Sequence, residues 1–258
     1  MNDKHQSIPP VRLCIAPEMA ETEAAQWLRE QFHSDAPEDG LVLRLDGEGL
    51  TLCSDEQELR GDFSRLLPRL KGGVSKEFLV RAAKIKNSDG PLTAIDATAG
   101  LGEDSFFLAA AGFHVTMYER NPVIYALLRD ALERAGRDPQ LAEIAGRMTA
   151  VHGNSIEAMA QAAPAPDVVL LDPMFPARQK SALVKKKLQM IQLLEVPCSD
   201  ERELIRAAME AKPKKLIIKR PPKGPWLADI KPDHSIEGKA VRFDCIVNPH
   251  DRIHKFFD

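Results

Sequence analysis

Between Leu92 and Lys219 the chain alternates short apolar runs with helical patterns, and this alternation restricts the fold more than any other feature. The runs Leu92 to Asp96, His114 to Glu119, Met148 to His152, Asp167 to Asp172 and Lys214 to Lys219 are rich in apolar or β-branched residues. Between two of them, Pro122 to Ala135 has helical spacing, with Asn121 placed to cap it and Pro122 at the first helical position. Repeated βα units lay their strands side by side in parallel, and helices then cover both faces. The expected fold class is therefore α/β, a doubly wound and mostly parallel Rossmann-like sheet. Val241 to Val247 is expected to return as a late antiparallel strand.

The first 70 residues read differently. Val11 to Ala16 reads as a strand, and Glu18 to Phe32 has helical apolar spacing through Met19, Ala24, Trp27, Leu28 and Phe32. Leu41 to Leu45 and Leu50 to Ser54 alternate around Asp46-Gly47-Glu48-Gly49, which signals a hairpin. A small α+β domain over 1–70 is expected, then a break at Lys71-Gly72-Gly73 and a second domain over 71–258, opening with a helix capped by Ser75 and running to about Lys86. Residues 1–70 carry 7 Lys/Arg against 14 Asp/Glu, and the remainder 28 against 24, so a polyanionic partner would have to meet the second part.

No apolar run approaches the ~20 residues that cross a bilayer, and Met1 to Pro10 has no apolar stretch behind it, so neither an anchor nor a secretory signal is expected. Cys14, Cys53, Cys198 and Cys245 lie far apart, without metal-ligand spacing. That usage suits thiols in a reducing cytoplasm, with no metal site.

The first βα junction reads Asp96-Ala97-Thr98-Ala99-Gly100-Leu101-Gly102-Glu103-Asp104. Ligands of such sheets bind at the carboxyl ends of the strands, where Gly100 and Gly102 let backbone approach closely. A dinucleotide fingerprint needs a third glycine, yet Ser105 stands there, and Glu103 and Asp104 would repel a pyrophosphate. A cofactor with an ammonium and a sulfonium but no phosphate would instead be attracted by carboxylates, which describes S-adenosylmethionine. The second strand ends in Glu119-Arg120, where a carboxylate can accept both ribose hydroxyls. The third ends near Asn154-Ser155, which could meet the adenine or simply cap a helix.

The fourth strand ends in Asp172-Pro173-Met174-Phe175-Pro176. This resembles the motif of amino-group methyltransferases, in which Asp, Asn or Ser precedes two prolines and an aromatic residue; Met174 departs from it at the second proline. An amine conjugated to a ring is a poor nucleophile until its hydrogens are held out of plane. The Asp172 carboxylate and the Pro173 carbonyl can accept those two hydrogens, and Phe175 can stack on the base. Methyl transfer needs no metal and no covalent enzyme intermediate. Past the motif, Arg178, Lys180, Lys185, Lys186 and Lys187 form an acid-free run, and Lys212, Lys214, Lys215, Lys219, Arg220 and Lys223 a second one. Lys180, Lys185, Lys219 and Arg220 are the expected contacts to RNA phosphates.

Together with Gln179-Lys180-Ser181-Ala182-Leu183-Val184-Lys185-Lys186 and Lys219-Arg220-Pro221, these segments resemble the RsmJ (YhiQ) family, bacterial small-subunit ribosomal RNA guanine-N2 methyltransferases. The resemblance covers residues 70 to 247. It implies a class I methyltransferase fold and, as substrate, the N2 amine of a guanosine near the 3′ end of 16S ribosomal RNA, free or in the 30S particle. It implies cofactor contacts at Glu103-Asp104, Glu119-Arg120, Asn154-Ser155 and Asp172. The family commonly has Arg-Asp and Ser-Ser where this chain has Glu103-Asp104 and Asn154-Ser155. Residue chemistry alone leaves adenine, cytosine or a protein glutamine as alternative acceptors, and a nicotinamide oxidoreductase or a non-catalytic RNA-binding module as rival classes. A monomer is favoured.

Overall fold

A computed structural model describes residues 10–32, 40–55, 57–86, 90–173, 190, 194 and 201–257. At the N-terminus, β1 (Val11–Ile15) is followed by a 3-10 turn over Pro17–Met19 and by α1 (Glu23–Gln31). The α-helix thus starts later than the apolar spacing from Glu18 suggests, because Thr22 caps it by accepting the Ala25 N–H. The hairpin of β2 (Leu41–Asp46) and β3 (Gly49–Cys53) turns where the sequence reading put it, and β4 (Glu58–Leu59) completes a sheet in the order β1-β2-β3-β4. Only β1 and β2 in that sheet run parallel.

A 3-10 turn over Phe63–Leu66 leads into α2 (Leu67–Leu70), and α3 spans Phe78–Ala83. Ser75 lies in a separate 3-10 turn over Val74–Lys76, and α3 has no side-chain cap, so the expected capped helix to about Lys86 is shorter and starts later.

The larger sheet is built from β5 (Thr93–Asp96), α4 (Glu103–Ala110), β6 (His114–Glu119), α5 (Pro122–Arg137), α6 (Ala142–Ala145), β7 (Met148–His152), α7 (Ser155–Ala160), β8 (Val168–Leu171), α8 (Glu201–Glu210), β9 (Lys215–Arg220), β10 (His234–Glu237), β11 (Arg242–Val247) and α9 (Ile253–Phe257). Its strand order is β10-β11-β9-β8-β5-β6-β7. From β9 to β7 all neighbours are parallel, and β11 joins β9 antiparallel. The order reverses between β5 and β8, both of whose carboxyl ends therefore open on one crevice.

Both faces of this sheet are covered. Val168 and Leu170 belong to the core formed with α3 and α4, whereas Val169 and Leu171 belong to the core formed with α8. All four are 0% exposed, and full burial of such side chains contributes about 1.5–3 kcal/mol each. A continuous apolar run is what a strand buried on two sides requires.

The N-terminal sheet packs Leu43, Leu45, Leu50 and Leu52 against Val123, Ile124 and Leu127 of α5. Trp27 of α1 meets Tyr125 edge-on at 6.1 Å, and the Arg129 guanidinium lies 4.4 Å from the Trp27 ring centroid. Phe63 and Leu66 join the core of the larger sheet.

Candidate active site

The turn after β5 is shaped by two glycines with different tasks. Both are left-handed, with φ of 54° at Gly100 and 75° at Gly102. A side chain on Gly102 would meet Leu128 Cδ1 at 2.8 Å and Phe63 Cζ at 3.2 Å, so this glycine admits the core. A side chain on Gly100 would meet nothing within 4 Å, so this one borders open space.

Carboxylates surround that space. Asp96, at the end of β5, is buried; its Oδ2 accepts the Ser105 hydroxyl at 2.6 Å and its Oδ1 the Thr98 N–H at 3.2 Å. Glu119, at the end of β6, is also buried and accepts N–H groups from Gly100 at 3.0 Å and Asn121 at 2.7 Å. Burial pushes the carboxyls of Asp96 and Glu119 up to about 7 against these hydrogen bonds, and neighbouring Asp104 and Asp172 lift Asp96 further.

Asp172 follows β8 directly. Its N–H donates to Thr98 Oγ1 at 2.6 Å, tying it to the glycine turn two residues before Gly100. Its Oδ2 lies 2.8 Å from Lys219 Nζ, which also meets Asp104 Oδ2 at 2.5 Å. Burial raises the Asp172 carboxyl and Lys219 opposes the rise, while Asp104 adds to it. Burial also acts to lower the Lys219 ammonium, but the two carboxylates outweigh it and hold it above the ordinary lysine range.

Open space beside Gly100, with Asp96, Asp104, Glu119 and Asp172 gathered around it and Lys219 among them, fits a cationic ligand and disfavours a phosphate. Comparison with known proteins identifies the family. A family model described as "Putative SAM-dependent methyltransferase" matches residues 28–248. The ribosomal RNA small subunit methyltransferase J of Thioalkalivibrio sulfidiphilus is 44% identical over 216 residues, which are 80% of this chain and 84% of the relative. That of Marinobacter nauticus is 39% identical over 238 residues, 89% of this chain and 86% of its own length. The chain belongs to the ribosomal RNA small subunit methyltransferase J family.

A crystal structure of an S-adenosylmethionine-dependent methyltransferase from Neisseria gonorrhoeae aligns with a TM-score of 0.71 at 28% identity, over 92% of this chain and 96% of its own. The expected Rossmann-like class I methyltransferase fold is thereby established, with S-adenosylmethionine as the cofactor of this methyltransferase J family member. When bound, the cofactor supplies a methyl carbon on a sulfonium, and the neutral thioether of S-adenosylhomocysteine remains after transfer.

The structure brings Asp96, Gly100, Gly102, Asp104, Glu119 and Asp172 to one crevice, and Glu103 opens α4 beside them. Arg120 is exposed next to Glu119, with its carbonyl 3.2 Å from His152 Nε2. Asn154 accepts the Ile156 N–H at 3.1 Å and donates to Glu157 at 3.0 Å, so it caps α7, whose first residue Ser155 is buried. Pro173 is buried at the end of β8. Phe175, Lys180 and Lys185 lie outside the described residues.

Two expected phosphate contacts are placed elsewhere. Lys219 turns inward onto two carboxylates, and Arg220 is 2% exposed with its Nε donating to Pro225 O at 2.8 Å. Both are drawn in by the crevice and by the loop after β9. Thr98 and Ser105 escaped the sequence reading as site residues; the signal was their place inside the glycine turn and at the start of α4, two and nine residues past Asp96.

Proposed function

We propose that this enzyme transfers a methyl group from S-adenosylmethionine to the exocyclic N2 of a specific guanosine near the 3′ end of 16S ribosomal RNA. The observation carrying this reading is the anchoring of Asp172 beside the glycine turn, through Thr98 to its backbone and through Lys219 to its side chain. A carboxylate there can accept one N–H of the guanine amine, and the Pro173 carbonyl the other, which aims the nitrogen lone pair at the methyl carbon. As the N–C bond forms and the C–S bond breaks, the nitrogen turns cationic; Asp172 stabilises that charge and accepts the proton. Phe175 stacks on the flipped base, and Lys180 and Lys185 meet the RNA backbone.

Glu119 takes the ribose hydroxyls. Asp96, Asp104, Arg120, Asn154 and Ser155 complete the cofactor site around Gly100, Gly102 and Glu103. Residues 1–70 act as a small α+β domain seated on α5, and 71–258 as the methyltransferase domain. The partner is small-subunit ribosomal RNA, free or in the 30S particle, met by a monomer in the cytoplasm. Among the described residues no helix is long and apolar enough to cross a membrane. Tritiated-methyl transfer to small-subunit RNA from a strain lacking this enzyme tests the reading; label should appear on that RNA and not on RNA from the parent strain.

A further inference from the structure

We propose that Lys219 is a positioning residue for methyl transfer: its ammonium bridges Asp104 and Asp172, holding one oxygen of Asp172 so that the other is left for the acceptor amine. The inference rests on the reading that Asp172 grips that amine.

The geometry is specific. Lys219 is the penultimate residue of β9, one place beyond Ile218, which pairs with Leu171 at the end of β8. Asp104 is the second residue of α4, on the far side of β8 in the sheet order. The ammonium therefore reaches across the end of β8, 2.5 Å from Asp104 Oδ2 and 2.8 Å from Asp172 Oδ2. Among the described residues, Asp172 Oδ1 has no hydrogen-bond partner. With its N–H held by Thr98 and its Oδ2 by Lys219, Asp172 offers Oδ1, unpaired among the described residues, to a substrate hydrogen.

Charge gives the same assignment. Asp172 is faced by Asp104 from α4, Asp96 from β5, and Lys219 and Arg220 from β9. Carboxylates this close raise one another and tend to share protons, and a protonated Asp172 accepts an amine hydrogen poorly. Lys219 keeps Asp172 ionised as well as oriented. Such a lysine acts through Asp172 and is spent on internal anions, which explains why a residue from a basic run does not face the solvent.

The test uses the full-length enzyme with Lys219→Met, Lys219→Gln and Lys219→Arg, assayed on small-subunit RNA from a deletion strain between about pH 5.5 and 9. Activity is lost as pH falls through the Asp172 pKa, so removal of the cation should move the acid limb of kcat to higher pH by about one unit or more. At neutral pH and saturating S-adenosylmethionine, kcat should drop about 10- to 100-fold with KM for RNA nearly unchanged. Lys219→Arg keeps the cation and should recover much of kcat and return the limb. The proposal is overturned if a folded Met or Gln variant has wild-type kcat and an unmoved limb. It is overturned equally if activity falls with the limb unmoved and no rescue by arginine, because that pattern marks a structural role only. Asp172→Ala separates the two ideas: a fully active Asp172→Ala sinks the grip itself, whereas an inactive one beside a silent Lys219→Met sinks only the role of the lysine.

Discussion

The Glu119 carboxylate accepts the Gly100 N–H at 3.0 Å, so the end of β6 and the turn after β5 are one rigid unit. The same carboxylate also accepts the Asn121 N–H at 2.7 Å, and Asn121 in turn caps α5 through the Val123 and Ile124 N–H groups. A residue read as a ribose ligand thus also organises the ends of two βα units. Glu119→Gln should forfeit one of these two buried backbone hydrogen bonds, at about 1–3 kcal/mol of stability, and weaken S-adenosylmethionine binding about 10- to 100-fold. Isothermal calorimetry measures it; unchanged affinity would remove Glu119 from the cofactor site.

Burial raises Asp96 and Glu119 to about 7 in the folded chain, from ordinary values of 3.8 and 4.5. A carboxyl raised on folding binds protons more tightly in the native state, so its contribution to stability is complete below its unfolded pKa and is lost as pH rises through 7. The cofactor-free enzyme should therefore lose thermal stability between about pH 4 and 7, with little further loss from these groups above that. Ribose hydroxyls donating to Glu119 favour its ionised form, so the gain in Tm with S-adenosylmethionine should grow across the same window. Scanning fluorimetry at fixed ligand concentration reads both trends, and a flat profile for each would contradict the assignment.

Gly100→Ala and Gly102→Ala should fail in different ways. At Gly102 the added methyl would meet Leu128 at 2.8 Å, which should cost about 1–3 kcal/mol through overpacking on top of left-handed strain. At Gly100 the methyl enters open space, so the fold should bear about 1–2 kcal/mol of strain while cofactor affinity falls. Thermal unfolding together with calorimetry separates them; equal loss of affinity at equal stability would refute the division.

Arg242 is buried and pairs with Asp244 at 2.9 Å, and its Nη1 donates to the carbonyls of Pro222 and Gly224, each at 2.9 Å. Arg242→Ala would leave Asp244 buried without its cation and free the loop after β9. Unfolding stability should fall by about 3–5 kcal/mol, and Arg242→Ala with Asp244→Ala should cost less than the two changes summed. A single variant within about 0.5 kcal/mol of wild type would show that the pair does not hold the loop.

Much of the fold was readable because its signals are local. Asn121-Pro122 marks the start of α5 by side-chain chemistry alone, and Val168 to Leu171 marks a strand buried on both faces. The strand β10 escaped because its residues are mostly exposed at the sheet edge and lack alternation. The start of α3 was misread because Ser75 looks like a cap but belongs to a separate turn. At the site, Gly100, Glu119 and Asp172 were legible as strand-end residues. The work of Thr98, Ser105 and Lys219 was not, since each is defined by a partner that only folding brings near: Asp172 for Thr98 and Lys219, and Asp96 for Ser105. Arg220 illustrates the same limit, because a cation in a basic run looks alike whether it meets phosphate or a backbone carbonyl.

The most direct test is mass spectrometry of nucleosides from deletion-strain small-subunit RNA after incubation with S-adenosylmethionine and either the wild-type enzyme or Asp172→Ala. The wild type should produce N2-methylguanosine; Asp172→Ala should still bind the cofactor but form the product at least ~100-fold more slowly. Methyl groups on any other base, or an Asp172→Ala enzyme as fast as the wild type, would contradict the account.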